Sequence, residues 1–158
     1  MNLALYQPDI PQNTGTILRM AACLGVTVEV IGPAGFDLSD RALRRAGLDY
    51  LENVRIVRHA AFADFDAERR AKGRRLVLMT TAASVPYTAF SFAADDSLML
   101  GRETAGVPEE VHDAADARIA IPMQPGLRSL NVAVAAAMVL GEALRQTAGF
   151  AKLSRADR

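Results

Sequence analysis

The sequence contains one cysteine, no tryptophan and no excess of charge of either sign. Cys23 has no second cysteine to pair with, which indicates a reducing compartment and argues against a zinc site. Because Cys23 falls in an amphipathic helical pattern, we expect it to be buried in the core. Eighteen Lys and Arg residues balance eighteen Asp and Glu residues, so an anionic partner must bind a local cationic patch.

Export signals and membrane spans are also missing from the sequence. Residues 1–6 lack the basic region and the long apolar region of a signal peptide. The nearly uncharged helix predicted over residues 130–140 has about half of the ~20 residues that cross a bilayer. A chain of 158 residues is the size of one ordinary domain. We therefore expect a soluble, cytoplasmic protein with one domain over residues 1–150 and a loose tail over residues 151–158.

Common catalytic and nucleotide-binding motifs are absent as well. The sequence has no G-x-G-x-x-G loop, no P-loop, no G-x-S-x-G elbow and no histidine-rich metal spacing, so we predict no metal. His59 and His112 are isolated, and we expect both to be exposed and without a chemical role. The polar residues that can still position a substrate are Asn13, Arg19, Glu103, Ser129 and Asn131.

Short apolar runs alternate with helical patterns along the chain, which is typical of parallel strands joined by crossover helices. The predicted strands cover residues 3–6, 26–31, 54–57, 75–80, 97–100 and 119–121. The predicted helices are one that ends at Gly25, a short basic one over 39–46 that Ser39 caps and Gly47 ends, and others over 62–71, 108–114 and 130–140. The pattern predicts an α/β fold with a mostly parallel sheet of about six strands.

The stretch from Ile121 to Leu140 is the most informative. A short strand ends in Ile-Pro, a loop follows, and Ser129 is placed to cap a helix that has no polar face. Such a helix must be covered by protein on most sides. The loop and the capped helix end together predict a pocket.

Three loops leave the carboxyl ends of predicted strands, where ligands gather in an open parallel sheet. They are residues 80–81, 101–106 and 123–129. Gly101 and Gly106 allow the backbone to approach a ligand closely, and the helix that follows Ser129 offers free N–H donors. Any one of these loops can equally be a tight turn, but three at successive strand ends favour a site.

Three segments resemble, in order and spacing, the motifs of the SPOUT RNA methyltransferases: residues 13–19, 100–108 and 119–132. Residues 5–15 and 43–50 resemble segments that are distinctive of the small tRNA (cytidine-34/uridine-34 2′-O)-methyltransferases. The resemblance covers residues 2–147. The sequence departs from it at Arg102, where some relatives carry proline, and at Ala133-Val134, where many carry a serine-containing pair.

This resemblance implies a trefoil knot in the C-terminal part of the fold, with S-adenosylmethionine bound in the knotted loops. It also implies a homodimer that packs the first and last helices across a two-fold axis, and methyl transfer to the ribose 2′-hydroxyl of the wobble nucleotide in the anticodon loop of tRNA. By position, the methyl-donor contacts fall on Met79, Thr80, Gly101, Glu103, Ile121, Ser129 and Leu130.

Arg19 is the candidate for the acceptor side, because relatives place an arginine of this motif beside the target ribose. Its guanidinium stays protonated, so we expect Arg19 to hold the adjacent phosphate and to stabilise developing alkoxide charge. Asn13 and Ser129 complete the predicted catalytic set by shaping the site. Without the resemblance, the usual exposure of arginine favours a solvated helix residue at position 19.

Two cationic clusters offer binding sites for RNA despite the zero net charge. The first contains Arg41, Arg44, Arg45, Arg55 and Arg58, and the second contains Arg69, Arg70, Lys72, Arg74 and Arg75. We assign RNA binding to Arg19, Arg41, Arg44 and Arg45, since the first cluster lies near the Arg19 helix in chain order. The alternatives are methylation of another RNA site, a non-catalytic RNA-binding dimer that retains the donor pocket, and a small-molecule α/β enzyme.

Overall fold

The computed structural model describes residues 1–45 and 51–153. In this part of the chain, six strands form one sheet in the order β3-β2-β1-β5-β4-β6, and every neighbouring pair is parallel. The strands are β1 Asn2–Tyr6, β2 Thr27–Ile31, β3 Ile56–His59, β4 Leu76–Met79, β5 Ser97–Leu100 and β6 Ala117–Ile119. The predicted α/β class is confirmed, whereas the knot stays a prediction.

Five α-helices flank the described sheet. They are α1 Pro11–Leu24, α2 Asp40–Arg45, α3 Phe62–Ala71, α4 Glu109–Ala114 and α5 Val132–Gln146, and short 3₁₀ turns cover Leu51–Asn53, Tyr87–Ala89 and Gly149–Lys152. Helix α1 ends as predicted at Gly25, which has a φ of 63°. Ser39 caps α2 as predicted, because its hydroxyl accepts the N–H of Ala42 at 3.2 Å. The predicted end of α2 at Gly47 lies outside the described residues.

Strands β3 and β6 each differ from the prediction by two residues. The prediction placed them at 54–57 and 119–121, whereas the ladder runs over Ile56–His59 and Ala117–Ile119. An apolar run in the sequence indicates which residues are buried. The bounds of a strand depend instead on hydrogen bonds to a neighbouring strand. Ile119 pairs with Met79, the last residue of β4, so the ladder ends there and Ile121 lies beyond the sheet.

The predicted cap of α5 is wrong. Asn131 caps the helix, and its side-chain oxygen accepts the N–H groups of Ala133 at 2.8 Å and of Val134 at 3.3 Å. A capping oxygen must lie next to the first helical residue in order to reach these donors. Because α5 begins at Val132, Ser129 is too far upstream and lies in the preceding loop.

The core lies on both faces of the sheet, and α1 and α5 cover one face while α3 covers the other. Helix α5 is not covered on most sides within one protomer, since Val134 is 49% and Met138 is 38% exposed. Cys23 is exposed, contrary to the prediction, because it lies on the outer face of α1. No helix in the described ranges is long and apolar enough to cross a membrane.

The predicted boundary at residue 150 stays a prediction. The 3₁₀ turn at Gly149–Lys152 contacts α5. Residues 154–158 of the predicted tail lie outside the described residues.

Candidate active site

A cavity of about 670 Å³ opens at the carboxyl ends of β4, β5 and β6. Its walls include all three loops singled out in the sequence, represented by Thr80, Gly101 and Met123. Parallel strands end at the same edge of the sheet, so loops that are far apart in the chain meet there. The volume lies in the range of small-molecule sites, roughly 300–1,000 Å³.

All seven residues predicted to contact the methyl donor line this cavity: Met79, Thr80, Gly101, Glu103, Ile121, Ser129 and Leu130. Of the predicted catalytic residues, Asn13 also lines it and Ser129 serves in both sets. Arg19 does not line it. Arg19 lies exposed on α1, two turns along the helix from Gln12.

The loop after β5 is closed on itself. The N–H of Arg102 donates to the carbonyl of Gly106 at 2.9 Å, and the N–H of Gly106 donates back at the same distance. A Cβ atom added to Gly101 would lie 2.7 Å from the carbonyl carbon of Gly106. The close approach therefore requires glycine at position 101 and makes a narrow backbone cradle in the cavity wall.

Glu103 is held at the cavity wall by two neighbouring segments. Its carboxylate accepts the N–H of Asp9 at 3.1 Å and the side-chain amide of Asn13 at 3.4 Å. The amide of Asn131 in turn donates to the side-chain oxygen of Asn13 at 2.9 Å. Burial, followed by the contact with the Asp9 carboxyl side chain, raises the pKa of Glu103 above its ordinary value.

His112 is a cavity residue that sequence reasoning missed. It was expected to be exposed, but it is half-buried and lines the cavity from α4. Arg102 also lines the cavity, within the loop 101–106 that the sequence singled out. His112 offered no signal, because its place depends on how α4 packs on the sheet.

His59 is also not the exposed residue that was predicted. It is only 8% exposed, and its Nε2 atom lies 2.8 Å from the carboxylate of Glu29, which is 1% exposed. Asn2 donates to the same carboxylate at 2.7 Å, and Arg74 pairs with it. This buried cluster crosses β1, β2 and β3, and none of its residues lines the cavity.

The second cationic cluster is neutralised by acidic partners. Its pairs are Arg69 with Asp66 and Asp116, Arg70 with Asp66, Lys72 with Glu68, Arg74 with Glu29, and Arg75 with Asp96. In the first cluster, Arg41 and Arg55 are exposed and Arg58 donates to the carbonyl of Leu38 at 3.1 Å. The side chains of Arg44 and Arg45 lie outside the described part of the structure.

Metal binding has no visible ligand set, since the described residues contain no group of three or more His, Cys, Asp and Glu side chains that could hold an ion. The cavity instead combines apolar side chains, such as Leu100 and Ile119, with polar groups and exposed loop backbone. A mostly apolar lining with a few polar groups is typical of small-molecule sites.

The model of the SpoU rRNA Methylase family matches residues 1–141. A relative from Beijerinckia indica, named tRNA (cytidine(34)-2′-O)-methyltransferase, is 63% identical over 156 residues, which cover 99% of this chain and 98% of the relative.

Two solved structures are similar in fold. One, described as giving structural insights into the 2-OH methylation of C/U34 on tRNA, has a TM-score of 0.84 and 41% identity, and the match covers 92% of this chain and 94% of that one. The AdoMet-bound rRNA methyltransferase from Sinorhizobium meliloti has a TM-score of 0.82 and 32% identity, and the match covers 91% of this chain and 55% of that one.

Proposed function

The chain belongs to the SpoU rRNA methylase family, and from this premise we propose that it transfers a methyl group from S-adenosylmethionine to the ribose 2′-hydroxyl of nucleotide 34 in tRNA. The names of relatives that are 40–63% identical to this chain support this substrate. The single observation that carries the proposal is that three motif segments, far apart in the chain, form one cavity at the carboxyl edge of the sheet.

The residues present fit S-adenosylmethionine. Glycine at position 101 lets the loop after β5 close against the backbone of Gly106 in the cavity wall. Met79, Ile119 and Ile121 provide apolar walls for an adenine ring. Glu103 and Ser129 provide polar contacts for the amino acid end. When bound, S-adenosylmethionine supplies a methyl group activated by its sulfonium centre.

Arg19 acts on the RNA side of the site. The exposed face of α1 carries Gln12, Thr16 and Arg19 at helical spacing. Gln12 and Thr16 also line a groove of about 450 Å³, which shares Asn13 and Asn131 with the donor cavity. RNA lying along this face brings a ribose towards the cavity while Arg19 holds a phosphate and stabilises charge on the 2′-oxygen.

A second copy of the chain covers the exposed face of α5. The far wall of the groove contains the apolar side chains of Val134, Ala137 and Met138, which no other part of the described protomer covers. An apolar face of this kind on a helix next to α1 agrees with a homodimer built from the first and last helices. Arg41, Arg44 and Arg45 then add cationic contacts to the anticodon loop. A tRNA substrate implies a cytoplasmic location.

The test uses purified protein, labelled S-adenosylmethionine and total tRNA, with the modified nucleotide mapped by mass spectrometry. We expect methylation at position 34 in the native protein and its loss in Arg19→Ala, with donor affinity and thermal stability retained. Arg70→Ala is the matched control, because Arg70 is an exposed arginine paired with Asp66 in the second cluster.

Donor binding without transfer to any tRNA would refute the proposed activity and favour the non-catalytic dimer. A salt titration separates the remaining alternative. If the protein binds tRNA through phosphate contacts, its affinity for tRNA should fall steeply as the salt concentration rises. A small-molecule enzyme should show no such salt-dependent binding of tRNA.

A further inference from the structure

We propose that Asp9 is a positioning residue of the methyl-transfer site, which fixes the loop that carries Glu103 and, through Glu103 and Asn13, orients the start of α5. The inference rests on the proposed function, because it assigns Asp9 to the same donor cavity. Asp9 itself does not line that cavity, so it acts only through its neighbours.

Asp9 and Glu103 bind each other twice through backbone and side chain. The N–H of Glu103 donates to the Asp9 carboxylate at 3.1 Å, and the N–H of Asp9 donates to the Glu103 carboxylate at 3.1 Å. The hydroxyl of Thr104 also donates to the Asp9 carboxylate, and Nε of Arg102 lies 3.6 Å from it. One side chain from the loop after β1 therefore holds three consecutive residues of the loop after β5.

The position of Asp9 is also constrained by its close packing against Gly35. A Cβ atom added to Gly35 would lie 3.0 Å from the Cβ atom of Asp9, and the N–H of Gly35 donates to the carbonyl of Pro8 at 2.9 Å. The side chain of Asp9 is only 11% exposed. A carboxylate held this firmly restricts the motion of the loop that it binds.

The side-chain amides of Asn13 and Asn131 connect Glu103 to the start of α5. Asn13 donates to Glu103 and accepts from Asn131, so the side-chain oxygen of Asn131 remains for the N–H groups of Ala133 and Val134. A side-chain amide has one donating and one accepting end. Because the Glu103 carboxylate only accepts, it fixes which end of each amide donates in this series of hydrogen bonds. Displacement of Glu103 would therefore disturb both the cavity wall and the cap of α5.

The charge distribution agrees with this role. The contact between the two carboxyl side chains lowers the pKa of Asp9 to about 2, whereas burial, followed by this side-chain contact, raises the pKa of Glu103. The cationic group that faces the pair is Arg102. Asp9 thus stays an ionised acceptor at neutral pH and holds the loop under all ordinary assay conditions.

The experiment measures the affinity for S-adenosylmethionine by calorimetry, without RNA, in Asp9→Ala, Asp9→Asn, Glu103→Ala and the double variant Asp9→Ala/Glu103→Ala. We expect Asp9→Ala to weaken donor binding about tenfold, because it removes hydrogen bonds to a charged group. Asp9→Asn keeps an oxygen for the N–H of Glu103 and should recover most of the loss. The loss of donor affinity in the double variant should be smaller than the product of the two single losses, because the Asp9 and Glu103 side chains hold each other's segments.

Asp64→Ala is the matched control. Asp64 also accepts a backbone N–H, that of Ala61 at 3.1 Å, but it lies on α3 away from the cavity. We expect this variant to lower the melting temperature of the donor-free protein without changing the donor affinity.

The inference is overturned if Asp9→Ala binds the donor as the native protein does, or if the losses in the double variant multiply as those of independent sites would. Its failure is distinguishable from that of the proposed function, since calorimetry needs no RNA. A protein that binds the donor in an Asp9-dependent way but methylates no tRNA would refute the proposed substrate and support the positioning role.

Discussion

The carboxylate of Glu29 lies 2.8 Å from Nε2 of His59 on the neighbouring strand, and both side chains are buried. Arg74 shares the same carboxylate from the turn that precedes β4. Burial by itself would raise the pKa of Glu29, but hydrogen bonds from Arg74, His59 and Asn2 outweigh it, so the pKa lies below the ordinary value of 4.5. The cluster joins β1, β2 and β3 and stabilises this half of the sheet, which lies away from the donor cavity.

Glu29→Gln is expected to destabilise the fold by about 3–5 kcal/mol at pH 7, because Arg74 would be left buried without its charged partner. A carboxylate with a lowered pKa stabilises the folded state above its unfolded-state pKa of 4.5, and this stabilisation is lost as the pH falls through the folded-state pKa. The difference between the variant and the native protein should therefore shrink in acid. Urea unfolding at pH 7 and near pH 3.5 measures it.

The same substitution at the exposed Glu110 is the control and should change stability by less than about 0.5 kcal/mol at either pH. A difference at Glu29 that stays constant between the two pH values would contradict the prediction.

Gly101→Ala is expected to weaken donor binding about tenfold or more, because the new Cβ atom would collide with the backbone of Gly106 and open the cradle. Gly73→Ala provides the comparison, since Gly73 has a φ of 64° and no atom near the added Cβ. That variant should lose about 1–2 kcal/mol of stability through backbone strain and keep its donor affinity. Calorimetry and urea unfolding on both variants separate the two effects, and equal donor affinities would refute the role of the cradle.

Asn131→Ala should cost about 1 kcal/mol of folding free energy, because it removes the cap of α5. Ser129→Ala should leave stability within about 0.5 kcal/mol, since Ser129 lies in the loop, and should lower methyl transfer instead. Denaturant unfolding and a transfer assay on the two variants test this division. A larger loss of stability in Ser129→Ala than in Asn131→Ala would show that the assignment of the cap is wrong.

Val134→Glu should weaken dimerisation and donor binding together, because α5 supplies an exposed apolar face on one side and lines the donor cavity on the other. Val85→Glu is the matched control, as Val85 is similarly exposed but lies outside α5. Sedimentation gives the oligomeric state and calorimetry gives the donor affinity. Unchanged donor affinity in a monomeric Val134→Glu protein would refute the coupling.

Much of the candidate site follows from local signals in the chain. The three loops were placed by strand ends and turn residues, and Met79, Gly101 and Ile121 do meet in one cavity. Arg19, predicted for the acceptor side, lies exposed on α1 outside the cavity, and its role stays a prediction. The partner that Asp9 finds is 94 residues away at Glu103, which no local pattern can indicate.

Composition and periodicity alone determined the α/β class, the bounds of α3 and β5, and the end of α1 at Gly25, because these depend on neighbours within a few residues. Only the tertiary structure decided that β6 ends at Ile119, that Asn131 and not Ser129 caps α5, and that Glu29 and Arg74 neutralise each other. Each of these depends on a hydrogen bond, a charge pair or a helix start that packing sets, and such contacts arise only when distant segments are brought together by the fold.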